Sequence, residues 1–146
     1  MNTCAFTIVA KNYIGLAMIL GKSLAKHNPD IDFKIVVADE IDGEVENLPD
    51  NLIIAKKELG YSSDIWTNMS FKYNLTEFCT AIKPAAFIRL FKEEYTKVIY
   101  FDPDIFIFSD ISCILSALDK FDVVLTPQIA GIHVDYSGEH PEWAMN

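Results

Sequence analysis

Short apolar runs alternate with a stretch of helical spacing in the first half of the chain. Residues 4–10, 33–38 and 52–55 are mostly apolar and rich in β-branched side chains, which is typical of strands buried on both faces. Between the first two runs, apolar residues within 13–26 recur at the spacing of one helical face. The order strand, helix, strand, strand predicts a Rossmann-like α/β domain with a mostly parallel sheet flanked by helices.

The middle of the chain is predicted to be helical and interrupted. Residues 59–73 are mixed and aromatic, so we expect irregular structure or a broken helix there. Residues 75–91 have a helical pattern that contains Pro84. Because proline is tolerated at the first position of a helix but not in its interior, we predict one helix before Lys83 and a second from Pro84 to about Glu94.

The last third of the chain returns to apolar runs. Residues 98–101 predict a buried strand, and residues 105–108 predict a short strand or bulge. A helix is expected at 111–118, followed by a last buried strand at 122–126 that ends at a proline. The polar tail from residue 128 onward is predicted to be a loop.

Two carboxylates, Asp102 and Asp104, interrupt the apolar run at 97–108, with Pro103 between them. Carboxylates are almost never buried without a partner, and ligands of parallel sheets bind beyond the carboxyl ends of strands. Residues i and i+2 of an extended chain point the same way, so the pair suits Mg²⁺ or Mn²⁺, with a substrate phosphate completing the shell. A plain Asp-Pro-Asp turn is the structural alternative.

Polar and small residues also follow the first two strands. Ala10 would let a planar base approach the backbone, Asn12 could hydrogen-bond to it and Tyr13 could stack on it, while Asp39 could accept from a base N–H or a ribose hydroxyl. The alternative is that Tyr13 packs at the helix start and Asp39 caps a turn. Neither a G-x-G-x-x-G nor a G-x-x-x-x-G-K-[ST] sequence is present, which argues against a dinucleotide site and a P-loop.

Lys83 is the candidate cation for a bound anion. It precedes Pro84 at a predicted helix start, where the helix dipole also favours negative charge, so it could neutralise a diphosphate. The alternative is a solvated lysine.

A formal net charge of -9 argues against nonspecific nucleic-acid binding, and three widely spaced cysteines suit a reducing cytoplasm. No apolar run approaches the roughly 20 residues of a membrane span, and the 146 residues fit a single domain.

Four segments together resemble a known family. They are TIVAKNYIGLAMILGKSL at 7–24, KIVVAD at 34–39, TEFCTAIKP at 76–84 and KVIYFDPDIFIFSDI at 97–111. On these residues the chain resembles the N-terminal, nucleotide-binding part of GT-A-type glycosyltransferases, most closely family 8 and family 8-like enzymes. The resemblance implies a Rossmann-like GT-A fold and transfer of a sugar from a nucleoside-diphosphate sugar, expected to be a UDP-sugar.

The resemblance also implies a role for each candidate residue. Asp102 and Asp104 match the DxD motif that holds the metal, usually Mn²⁺, against the diphosphate. Ala10, Asn12 and Tyr13 match the base-binding turn. Asp39 matches the acidic residue after the second strand, and Lys83 matches the basic position near the diphosphate and donor sugar. No residue of the chain is named as a catalytic base.

Enzymes of this kind normally continue into an acceptor-binding part, for which the 146 residues show no counterpart. We therefore expect a truncated chain, in which a surface left exposed could pair with a second copy.

A noncatalytic nucleotide-binding module is one alternative function. A Mg²⁺-dependent phosphohydrolase is another, less well matched one, because Phe106 stands where those enzymes have Thr or Val and the pair follows the fourth strand instead of the first.

Overall fold

The computed structural model describes residues 2–41 and 48–126. Contacts divide the chain into two compact units, of which the first ends at Ile111 and the second begins at Ser112. The first unit contains one four-stranded sheet, in which every neighbouring pair is parallel and the order is β3-β2-β1-β4. The strands are β1 (Thr3–Val9), β2 (Ile31–Val37), β3 (Leu52–Ile54) and β4 (Lys97–Tyr100).

Helices connect and cover these strands. A 3₁₀ turn (Lys11–Tyr13) leads into α1 (Ile14–His27), and α2 (Ala55–Glu58), α3 (Ser63–Lys72) and α4 (Leu75–Phe91) follow β3. A parallel sheet flanked by helices is the Rossmann-like α/β fold predicted from the sequence, and the prediction is confirmed. Among the described residues, no helix is both long and apolar enough to cross a membrane.

Two apolar clusters, one on each face, hold the sheet between its helices. Alternate side chains of β1 point to opposite faces, as they must in a strand. Phe6 packs in the cluster that contains the buried face of α4, whereas Val9 packs with Ala17 of α1 and Ile35 of β2. Because β1 has neighbours on both edges and both faces, all its residues are buried, as the continuous apolar run predicted.

α4 is a single helix, so the predicted break at Pro84 is wrong. Its N-terminus has a capping box, in which Asn74 and Glu77 each accept from the other's backbone N–H. The buried side chains recur every four residues on both sides of the proline: Phe78, Ile82, Ala86 and Leu90. Proline removes one backbone donor, and burial of this continuous stripe outweighs that loss.

α3 is a regular helix where the sequence predicted irregular or broken structure. The Ser62 side chain caps it by accepting from the backbone N–H of Ile65. Trp66, the one buried residue of the helix, meets Phe78 of α4 edge to face, with 4.9 Å between the ring centroids. A helix that buries one large side chain shows no apolar stripe, which explains why the spacing did not predict it.

The segment after the Asp pair forms no strand, so the short strand or bulge predicted there is wrong. Its backbone bonds to side chains of α1 and its C-terminal cap. The N–H of Ile107 donates to Ser23 Oγ at 3.0 Å, and Asn28 bonds the backbone of Ser109 and Ile111. These side-chain partners take the place of a β ladder, and nothing in the segment's own sequence reveals them.

In the second unit, α5 (Ser112–Leu118) confirms the predicted helix. The strand predicted at 122–126 is wrong: those residues form no strand, and the Val123 and Leu125 side chains are 70% and 83% exposed. An apolar run needs a hydrogen-bonded partner to become a strand, and the described residues provide none for this one. The loop predicted at 128–146 lies outside the described residues.

Candidate functional site

The sheet opens a crevice at the carboxyl ends of its central strands. β2 and β3 lie on one side of β1, and β4 lies on the other. The connection after β1 and the one that leads into β4 therefore run in opposite directions across the sheet. In open α/β sheets, ligands bind outside the carboxyl ends of strands where the order reverses in this way.

A pocket of about 300 Å³ lies at this edge, at the small end of ligand sites. The end of β1 and the turn after it, one face of α4, and the end of β4 with the turn after it supply its walls. The lining residues are Ile8, Val9, Ala10, Tyr13, Leu75, Thr76, Cys79, Thr80, Lys83, Tyr100, Asp102 and Pro103. Three separate segments of the first unit thus converge on one concave, mainly apolar surface.

Four of the seven residues singled out in the sequence line this pocket together: Ala10, Tyr13, Lys83 and Asp102. They come from the ends of β1 and β4 and from α4, so the fold brings together positions up to 92 residues apart in the chain (from 10 to 102). The Tyr13 side chain is 49% exposed, which leaves its ring accessible to a ligand.

The other three residues lie outside the pocket lining. Asn12 and Asp104 are exposed next to lining residues. Asp39 holds the turn after β1, because its Oδ2 accepts from the backbone N–H of Lys11 at 2.6 Å. This bond ties the end of β2 to the turn that carries Tyr13, so the turn-capping alternative describes what Asp39 does here.

The carboxylates of Asp102 and Asp104 are both exposed, and among the described residues neither forms an ion pair with Lys, Arg or His. Asp102 Oδ1 accepts from the Tyr100 hydroxyl at 2.9 Å. The described residues contain no group of three or more His, Cys, Asp or Glu that could hold a metal ion. Two hard carboxylate oxygens with open positions fit Mg²⁺ or Mn²⁺ that also binds a substrate phosphate, a mode in which one or two carboxylates suffice.

Lys83 is the one cation among the lining residues. Its Nζ lies 4.0 Å from the centroid of the Tyr100 ring, within the range of a cation–π contact. The sequence placed Lys83 at a helix start, which is wrong: it lies inside α4, far from the N-cap at Asn74. The Lys83 charge is therefore not at a helix start, although the first turn of α4 also reaches the pocket wall through Leu75 and Thr76.

Burial and nearby charge keep two pocket groups neutral. Burial raises the pKa of Tyr100, and the hydrogen bond to Asp102 and the charges around it raise that pKa further. Burial likewise raises the pKa of the Cys79 thiol, with a further contribution from Asp39. A phenol and a thiol that keep their protons are donors and not nucleophiles.

The sequence did not single out the α4 face or Tyr100. Thr76, Cys79 and Thr80 precede Lys83 by seven, four and three residues, which is the spacing of one helical face. Tyr100 precedes Asp102 by two residues and shares its side of the chain. Both relations were visible in the sequence, but they acquire meaning only once Lys83 and Asp102 are known to line one pocket.

A family model described as Glycosyl transferase family 8 matches residues 4–127 of the chain. This match confirms the resemblance that four sequence segments indicated. Searches of curated proteins and of solved structures found no match.

Proposed function

Because the chain belongs to glycosyl transferase family 8, we propose that its pocket binds a nucleoside-diphosphate sugar, with uridine as the base, and that the protein transfers the sugar. Family membership supports glycosyl transfer in general. The observation that carries the finer proposal is the pocket itself, in which Asp102 accepts from the Tyr100 hydroxyl and Lys83 lies over the Tyr100 ring at the carboxyl edge of the sheet.

The charges at this edge favour a donor bound through a cation. A diphosphate would be repelled by Asp102 and Asp104 in an acidic protein of net charge -9 unless a divalent ion stood between them. We assign both carboxylates to hold Mn²⁺ or Mg²⁺. That ion would act as a Lewis acid on the departing diphosphate, and Lys83 would share the same negative charge.

The base end of the proposed donor site is the turn after β1. Ala10 is small and lines the pocket, so a planar base can lie against the backbone, and the half-exposed Tyr13 ring is available to stack on it. Asn12 is exposed on the same turn and could bond to the base. Asp39 contributes by holding the turn through the Lys11 N–H, which leaves its other oxygen for a ribose hydroxyl or a base N–H.

A noncatalytic nucleotide-binding module is the second candidate. The observation in its favour is the composition of the pocket wall. Among the lining residues, Asp102 is the only carboxylate, and there is no histidine. With Asp102 assigned to the metal, the wall offers no group to activate an acceptor hydroxyl. Incubation with a panel of UDP-sugars distinguishes the two functions, because binding without hydrolysis or transfer favours the module.

Calorimetry of UDP binding to the full chain tests the donor site. We expect binding in Mn²⁺ or Mg²⁺, loss of binding after chelation, and loss in Asp104→Ala. Asp50→Ala, a change at an exposed turn residue before β3, is the matched control and should bind as wild type does. Affinity that persists in a chelator, or no affinity in any metal, would contradict the metal role of the pair.

A further inference from the structure

Tyr100 contacts both charged groups of the pocket. Its hydroxyl donates to Asp102 Oδ1 at 2.9 Å, and its ring carries the Lys83 ammonium 4.0 Å from the centroid. Asp102 follows β4, whereas Lys83 belongs to α4, so one side chain joins the polar groups of two separate elements.

Aromatic residues of the core hold the Tyr100 ring in place. Its ring lies edge-on to Phe6, with 5.3 Å between the centroids and 63° between the planes. Phe6 is completely buried in the central strand and meets Phe87 of α4 edge to face at 4.9 Å. Core packing therefore determines where the hydroxyl and the ring face point.

We propose that Tyr100 is a positioning residue that sets both charged ends of the donor pocket. Its hydroxyl occupies Asp102 Oδ1 and so leaves Oδ2 as the oxygen for the divalent cation, and its ring face holds the Lys83 ammonium beside the diphosphate. This inference rests on the proposed donor site. It adds a residue that neither the sequence pattern nor the family match assigns to that site.

The chemistry of the phenol suits this role. The phenol hydroxyl lies within hydrogen-bond distance of Asp102 Oδ1 and donates to it. A carboxylate with one oxygen engaged loses rotational freedom before the cation arrives. Partners of metal ligands that act in this way typically contribute a factor of about 10 to 100 in metal affinity.

The amino end of the sheet offers a matched control. There the Tyr95 hydroxyl donates to Asp32 Oδ2 at 2.8 Å, nearly the same distance as in the Tyr100 bond, and the pair lies outside the pocket. Tyr95→Phe and Tyr100→Phe delete the same group from the same kind of hydrogen bond. A purely structural role predicts similar effects of the two changes, whereas a positioning role predicts an effect on metal binding for Tyr100→Phe alone.

The test is a Mn²⁺ titration of the full chain at saturating UDP. The electron paramagnetic resonance signal of free Mn²⁺ reports how much of the ion is bound at each point. Tyr100→Phe should raise the Mn²⁺ midpoint about 10-fold and leave UDP affinity at saturating Mn²⁺ near the wild-type value, because the ring under Lys83 is retained. Tyr95→Phe should have the wild-type midpoint. Tyr100→Leu, which also removes the ring, should weaken UDP binding even at saturating Mn²⁺.

The outcomes separate the inference from the function it rests on. A wild-type midpoint in Tyr100→Phe, or an equal shift in Tyr95→Phe, would overturn the positioning role while the donor site stood. If wild type bound no UDP at any Mn²⁺ concentration, the proposed function would fail, and the inference with it. Thermal unfolding without ligand checks that each variant is folded at the temperature of the titration.

Discussion

The two ends of the parallel sheet carry the same local bond in different surroundings. At the carboxyl end, the Tyr100 hydroxyl donates to Asp102, and a lysine and a pocket lie beside the pair. At the amino end, the Tyr95 hydroxyl donates to Asp32. Next to this pair, the backbone N–H and the hydroxyl of Thr96 both donate to the carbonyl oxygen of Asn2. A tyrosine–carboxylate bond is thus not in itself a sign of a binding site.

The strand order explains why the carboxyl end opens. The connections that leave the carboxyl ends diverge around β1, and the described residues leave a pocket between the end of β1 and the end of β4. At the amino ends, β1 is in register with both neighbours from its first residue, since Thr3 lies opposite Ile31 and Lys97. Function is therefore expected at the carboxyl end and stability at the amino end, and three experiments address this difference.

The largest difference is expected between Asp102→Asn and Asp32→Asn. Both changes keep the side-chain shape and remove one charge. The first should lower Mn²⁺-dependent UDP affinity by about 100-fold or more, because a neutral amide is a poor ligand for a hard cation. The second should leave that affinity within about twofold of wild type, since surface charges interact weakly across a screened distance. Calorimetry measures both, and equal losses would contradict the division between the two ends.

Lys83→Met should have the next largest effect. It keeps an unbranched side chain on α4 but removes the charge assigned to the diphosphate, so UDP affinity at saturating Mn²⁺ should fall about 10-fold. Lys72→Met is the control, because Lys72 also lies over a tyrosine ring, that of Tyr73, at 5.1 Å and outside the pocket. A similar loss in both variants would mean that the lysine charge acts only through the net charge of the protein.

The smallest effect is expected on the free energy of unfolding, through Cys4 in the amino half of β1. Burial raises the pKa of the Cys4 thiol from 9.0 to about 12, with Asp32 and Glu93 adding to the shift and Lys34 opposing it. Above pH 9 the unfolded thiol ionises while the folded one keeps its proton, so the stability this group contributes is complete below pH 9 and is lost as the pH rises toward 12.

Chemical denaturation at several pH values measures this contribution. Between pH 8 and pH 10, wild type should lose about 1 kcal/mol more of its free energy of unfolding than Cys4→Ala does. Cys79→Ala, at the carboxyl end, should change the pH dependence less, because that thiol is only half-buried. Identical slopes in wild type and Cys4→Ala would show that the thiol ionises as easily in the folded protein as in the unfolded chain.

Much of the fold was predictable from local pattern. β1 to β4, α1 and α5 all appear close to the predicted positions, because a strand buried on both faces and an amphipathic helix leave direct traces in the apolar spacing. Three predictions failed where distant residues decide the outcome. α4 continues past Pro84 because it buries a continuous apolar stripe. The segment after Asp104 bonds to side chains of α1 instead of forming a strand. Residues 122–126 have no strand partner among the described residues.

The parallel α/β class, the family and the residue types at the carboxyl ends of the strands are readable from the amino-acid sequence, because they depend on apolar spacing and on motifs contiguous in the chain. The three-dimensional fold was needed to show that Ala10, Tyr13, Lys83 and Asp102 line one pocket, while Asp39 holds a turn beside it. It also placed Tyr100 between the carboxylate and the lysine. Such proximities depend on strand order and on the path of α4 across the sheet, and these follow from long-range packing.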